Sequence, residues 1–284
     1  MEAIEIPTVD RSVLGATRVS GSGLGYVVIA GATAVPHRFY RSLAVWLAER
    51  TRATVLSFDY RGVGASKRGP LRSSEIGCRD WALDLASVIR YAAARGPTVV
   101  VGHSSGGHAF GMTDAHQQTL GLYTFGSGAA WHGYMKPAEA IKVWTLWNVL
   151  GPPLVGLRGY MPMRLVGLGE DLPKGVYRDW RRWSGFPNYF FDDPNAEFVS
   201  EFGRVRVPVV GVSSTDDAWA PPQSVDAFMG HYPRYTPVVV RPEDIRRPIG
   251  HMGYARSACR ALWDPLAEWV SAQLRCSALD GRVS

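Results

Sequence analysis

The sequence predicts an α/β protein with a mostly parallel central sheet, helices on both of its faces, and a helical insertion in its second half. Three observations carry this expectation. Short apolar runs such as "YVVIA" and "TVVV" recur, each closed by glycine or by small polar residues. Segments of helical periodicity alternate with those runs. The alternation then stops between residues 131 and 198, a stretch rich in Trp, Gly, Pro and Arg, and resumes after it.

Taken in order, "AIEIP" and "SVLGATRVS" read as an opening pair of strands before a "GSG" turn. "YVVIAGAT" (26–33) is a buried strand running into Gly31. After Pro36, "HRFYRSLAVWLAER" places Tyr40, Leu43, Ala44 and Leu47 on one helical face. "ATVLSFDY" (53–60) is a further buried strand, and the loop "RGVGASKRGP" follows it. An amphipathic helix spans 80–96 and ends at Gly96. The strand 98–102, a helix from Gly106 to His116 and the strand 120–125 come next. Beyond the insertion lie the strand 207–214, a helix over "SVDAFMGHY", the strand 236–240 and a closing helix "LWDPLAEWVSAQL". The domain organisation expected is one core formed by 1–130 and 199–284, with 131–198 inserted as a lid.

Composition narrows the class. An apolar fraction of 46% and a charged fraction of 20% belong to an ordinary packed globular chain. The basic residues behind the net charge of +6 are almost all arginine, with no run of five or more like charges and no nucleic-acid-binding module, so no nucleic-acid partner is expected. Cys78, Cys259 and Cys276 are scattered and form no metal-binding spacing; neither a metal nor an organic cofactor is expected. The opening "MEAIEIPTVD" lacks the features of a signal peptide, and the most apolar stretch, 143–157, is short and broken by Pro152 and Pro153. A soluble cytoplasmic protein without a membrane span is the expectation, its oligomeric state unread.

The chemistry concentrates at "TVVVGHSSGG" (98–107), where Gly102-His103-Ser104-Ser105-Gly106 satisfies G-x-S-x-G between a strand and a helix. Glycines two residues either side allow a tight turn that presents the Ser104 hydroxyl. A serine hydroxyl needs a base to become a nucleophile, and the base needs a carboxylate to orient it. After such an elbow the partners follow in the order acid, then histidine. "TDDAWAPP" supplies Asp216 or Asp217 just past the strand 207–214, and "RRPIGHMGY" supplies His251 after the strand 236–240. His103 lies inside the elbow, His108 and His116 on the helix after it, His132 in the insertion, and His37 and His231 on surface-like helices. Only His251 combines the right order with a loop after the last strand. Backbone N–H groups of Ser105 and Ala32 are the expected oxyanion donors.

With these residues in place, the sequence resembles the α/β-hydrolase fold of serine-esterase type. "FDYRGVGAS" (58–66) is similar to the D-x-R-G-x-G-x-S loop common in lipase-like and peptidase-like members, and "GHMGYAR" to their histidine loop. The resemblance favours Asp217 over Asp216, because Pro221 completes a D-x-x-x-P pattern. "GYMPMRLVGLGEDLPKG" and "WRRWSGFPNYFFDDP" resemble the inserted segment of a bacterial group whose substrates are mostly unassigned. Ser105 departs from the Leu, Met or Gln of many relatives.

The expected function is hydrolysis of a carboxylic ester, thioester or lactone through an acyl-enzyme on Ser104. Acyl transfer by the same residues and a non-catalytic hydrolase-fold binding protein are the alternatives. The partner is a small acyl substrate, and Trp131, Trp144, Trp147 and Trp183 are the expected lining of its pocket, with Trp180, Tyr189 and Phe190 as further aromatic candidates. Glu170, Asp171 and Lys174 are read as capping and salt-bridge residues.

Overall fold

The computed structural model describes residues 1–23 and 25–279. Its main sheet has eight strands in the order β1-β2-β4-β3-β5-β6-β9-β10. β1 (Glu2–Pro7) and β2 (Val13–Val19) form an antiparallel hairpin, and β2 pairs antiparallel with β4 (Thr54–Phe58). From there the ladder is parallel, through β3 (Tyr26–Ala30), β5 (Thr98–His103), β6 (Leu122–Phe125), β9 (Val209–Ser214) and β10 (Tyr235–Val240). A second, two-stranded sheet pairs β7 (Tyr160–Met161) with β8 (Leu172–Pro173) inside the insertion.

The continuous apolar character of the strands has a direct cause, since both faces of the sheet are covered. In β5, Val100 belongs to one buried cluster while Val99 and Val101 belong to the other. In β3, Val28 and Ala30 divide from Val27 and Ile29 in the same way. Helix α1 (Arg41–Thr51) and helix α10 (Trp263–Leu279) pack together on one face. Helices α2 (Cys78–Ala93) and α3 (Ser105–Phe110) lie on the other, where the insertion adds its own apolar residues to the same cluster. The insertion contributes α4 (Pro137–Thr145), α5 (Gly151–Arg158) and α6 (Lys174–Trp183). After β9 come α7 (Pro222–Met229) and, past β10, the short α8 (Pro242–Ile245) and α9 (Gly250–Gly253).

Two expectations change. The helix expected from Gly106 to His116 ends at Phe110, and a separate 3-10 turn covers Asp114–Gln118. Gly111 stands at the break, where the Phe202 ring packs so close that a Cβ would lie 2.5 Å from it. His37, expected on a surface helix, is instead pinned to the β4 end: its backbone N–H and its Nδ1 meet Asp59 at 2.6 and 2.8 Å. Asp59 also accepts the Ala65 N–H at 2.7 Å. The residues of "FDYRGVGAS" thus brace a loop, and none of them lines the cavity described below. Among the described residues no helix is long and apolar enough to cross a membrane.

Candidate active site

The turn between β5 and α3 forces Ser104 into φ 52°, ψ −114°, a conformation costly for any side-chain-bearing residue. The flanking glycines make the turn sterically feasible. A Cβ on Gly106 would meet the Ala30 carbonyl oxygen at 2.2 Å, and one on Gly102 the Gly107 nitrogen at 2.8 Å. The turn is locked by the Ser104 N–H donating to the Phe125 carbonyl at 2.9 Å and the Gly107 N–H to the Ser104 carbonyl at 3.0 Å. Ser104 Oγ forms no hydrogen bond among the described residues; the serine and His251 line one cavity.

The loop after β9 carries two adjacent aspartates with different tasks. Asp217, 2% exposed, faces His251: its Oδ2 lies 2.9 Å from the imidazole Nδ1. Its Oδ1 accepts the N–H groups of Trp219 and Ala220, each at 2.9 Å, and the Tyr254 hydroxyl donates to Oδ2 at 3.2 Å. Burial pushes its pKa upward, but the neighbouring imidazole and these hydrogen bonds outweigh it and hold the carboxyl below its usual range. Asp216 points to the backbone of the histidine loop, accepting the Ile249 N–H at 2.8 Å and the Gly250 N–H at 3.0 Å. It tethers the loop, while Asp217 contacts the ring.

Behind the elbow runs a buried chain of hydrogen bonds. The Ala32 N–H donates to the Tyr40 hydroxyl at 2.8 Å, Tyr40 contacts His103 Nδ1 at 2.8 Å, and His103 Nε2 contacts the His251 carbonyl at 2.8 Å. A carbonyl can only accept, so Nε2 carries the proton, and the Tyr40 hydroxyl donates to Nδ1. The Ala32 N–H is therefore already committed to Tyr40. This corrects its expected availability as an oxyanion donor. The adjacent Thr33 N–H has no hydrogen-bond partner among the described residues, and Thr33 lines the cavity. Ser105, the other expected donor, also fastens the two loops together, its hydroxyl donating to the Gly31 carbonyl at 3.3 Å.

Burial pushes the pKa of both His103 and His108 down to about 3. Both rings are thus neutral in the folded protein, whereas an unfolded histidine titrates near about 6.5. Below that pH the unfolded chain takes up protons that the folded one refuses, so stability falls with falling pH, by up to about 1.4 kcal/mol per pH unit for each ring. Urea midpoints should decline from pH 7 to 5, and His108→Gln should show a shallower decline. An equal slope in the variant would mean that His108 is not buried neutral.

The cavity over Ser104 has a volume of about 490 Å³ and is walled by the 32–36 loop, Phe39, Met163, Leu168, Trp180, Trp219 and Met252. Two narrow spaces of about 30 and 20 Å³ adjoin it, and Trp180 and Thr33 border all three. The expected tryptophan lining is largely displaced. Trp144 and Trp147 flank a separate cleft with His132 and Arg181, Trp131 packs edge-on against Tyr134, and Trp183 borders only the 30 Å³ space. Helix α6 explains the exchange: Trp180 and Trp183 lie three residues apart, and the nearly buried Trp183 donates to Asp193 at 3.0 Å. Trp219 was overlooked; its only sequence signal is its place two residues after Asp217. Glu170 anchors the segment 163–170 over the cavity, its N–H donating to the Ala34 carbonyl at 2.8 Å and its carboxylate held by Arg38 and Arg164. Among the described residues no cluster of three His, Cys, Asp or Glu side chains is arranged to hold a metal ion.

Known structures share this architecture. The chain superimposes on a soluble variant of monoglyceride lipase from Saccharomyces cerevisiae with a TM-score of 0.70 at 14% identity, covering 96% of this chain and 97% of that one. An esterase from a Rhodococcus species gives a TM-score of 0.62 at 17% identity, covering 96% and 100%. A thermophilic esterase from Thermogutta terrifontis gives 0.60 at 16%, with the same coverage. At such identities the likeness establishes the fold alone. A search of the curated proteins returned no match. The profile that describes the alpha/beta hydrolase family matches residues 26–272, which include six of the eight strands, so the chain belongs to the alpha/beta hydrolase family.

Proposed function

We propose that the protein is a serine hydrolase that cleaves a carboxylic ester, thioester or lactone through an acyl-enzyme on Ser104. The observation that carries this reading is the 2.9 Å contact between His251 Nδ1 and Asp217 on a loop that shares a cavity with the strained serine. Esterases among the structures of like fold agree with it.

Asp217 accepts the Nδ1 proton of His251, which leaves the Nε2 lone pair free to act as base. Nε2 removes the Ser104 hydroxyl proton as Oγ forms its bond to the substrate carbonyl carbon, and the carbonyl electron pair moves onto oxygen. The N–H groups of Ser105 and Thr33 meet that oxyanion, a stabilisation worth about 10²–10³ in rate for each donor. Collapse expels the alcohol or thiol, which takes the proton from Nε2. Water then repeats the sequence on the acyl-enzyme and releases the acid. In this reading residues 131–198 form the lid, and Met163, Leu168 and Trp180 supply its contribution to an apolar binding chamber.

A fluorophosphonate probe should label the folded wild-type protein at Ser104 and leave Ser104→Ala unlabelled. A folded wild type that resists the probe would instead indicate a binding protein built on a hydrolase fold.

A further inference from the structure

Ester cleavage does not account for the charge carried by the cavity above Ser104. Its walls are mainly apolar, yet Arg38 and Arg256 line it and no aspartate or glutamate does. Arg38 reaches Glu170 at 3.0 Å, and Glu170 is shared with Arg164. Asp171, which accepts the Arg164 N–H at 3.1 Å, supplies the second carboxylate of that cluster, so the charge left unmatched is that of Arg256. The Arg256 side chain is exposed and has no hydrogen-bond or ion-pair partner among the described residues.

The two arginines enter from segments that pack on each other. Arg38 leads into α1, and Arg256 leads into the 3-10 turn Ser257–Leu262, which rests on α1. Trp46 of α1 and Trp263 at the end of that turn lie 5.6 Å apart between ring centroids. The segments that carry the two arginines therefore lie on one side of the chamber. An apolar wall beside unmatched positive charge concentrates the field on an entering anion. The planar fork of arginine matches the two oxygens of a carboxylate.

We propose that this side of the cavity is an anion subsite and that the substrate is an ester bearing a carboxylate remote from the scissile bond. This rests on the reading of Ser104 as nucleophile. The apolar stretch between Ser104 and the arginines then holds the chain linking the two groups, and Arg256 sets specificity.

The test compares nitrophenyl monoesters of α,ω-dicarboxylic acids with nitrophenyl alkanoates of equal chain length. In the wild type, the ratio of kcat/KM for anionic over neutral esters should rise with chain length to a maximum. At that length Arg256→Gln should lower the ratio by about 10-fold, chiefly through KM, and Arg256→Lys should recover part of it. A ratio identical in wild type and Arg256→Gln at every length overturns the subsite, as does a wild type that prefers the neutral ester throughout. Fluorophosphonate labelling separates the two levels of failure. Labelled Ser104 with a flat ratio removes the subsite alone; unlabelled Ser104 removes the serine-hydrolase reading and the subsite with it.

Discussion

Replacing Ser104 or His251 by alanine should each lower kcat toward an activated ester by about 10⁴–10⁶-fold, with little change in thermal stability. In the proposed mechanism Ser104→Ala deletes the atom that forms the acyl bond, and it relieves none of the turn's strain, because alanine is confined to the same backbone regions as serine. His251→Ala removes the proton acceptor while Asp216 still holds the loop through the Ile249 and Gly250 N–H groups. The two losses should not multiply in the double variant, since a nucleophile without its base is already close to inert. Turnover of nitrophenyl esters by both single variants, alongside circular dichroism melts, checks this. Activity retained in either one would locate the chemistry elsewhere.

Asp217→Asn should lower kcat by about 10⁴-fold, far more than Asp216→Asn. The direction follows from the hydrogen bonds. Oδ1 of Asp217 accepts two backbone N–H groups at 2.9 Å, so an asparagine places its carbonyl oxygen there and turns its NH₂ toward His251. An N–H donor facing Nδ1 forces the imidazole proton onto Nε2, the tautomer unable to deprotonate serine. Asp216→Asn sets an NH₂ against one of two backbone N–H donors. That loosens the 249–250 loop at a cost of about 1–3 kcal/mol in stability and leaves the tautomer alone. Kinetics of the two variants, paired with urea denaturation, should show activity loss in one and stability loss in the other. The opposite ranking would make Asp216 the orienting acid.

The buried chain from Ala32 through Tyr40 and His103 to His251 shows why the oxyanion donor could not be assigned from motif spacing. The motif counts residues from the end of β3, but whether an N–H is available depends on Tyr40, eight positions further on, reaching back to it at 2.8 Å. The aromatic lining was hidden for a related reason. Trp180 and Trp183 are the same residue type three positions apart on one helix, and only the placement of α6 against α2 and the β7–β8 pair sets which of them borders the cavity.

The amino-acid sequence by itself determined the sheet and the elbow. Both are announced by short-range patterns: the period of apolar residues selects strand or helix, and the spacing of Gly102, Gly106 and Gly107 marks the turn. Only Gly102 is required by its own turn, however, while Gly106 and Gly107 answer to Ala30 and Ser127. The resemblance already favoured Asp217 over Asp216, but only the tertiary structure decided which N–H remains free, which tryptophans border the cavity and where Arg256 stands. Those outcomes depend on contacts between segments remote in the chain, such as Glu170 on Ala34 and His103 on His251. A side chain in an irregular loop takes its direction from such partners, and no local pattern encodes where they will be.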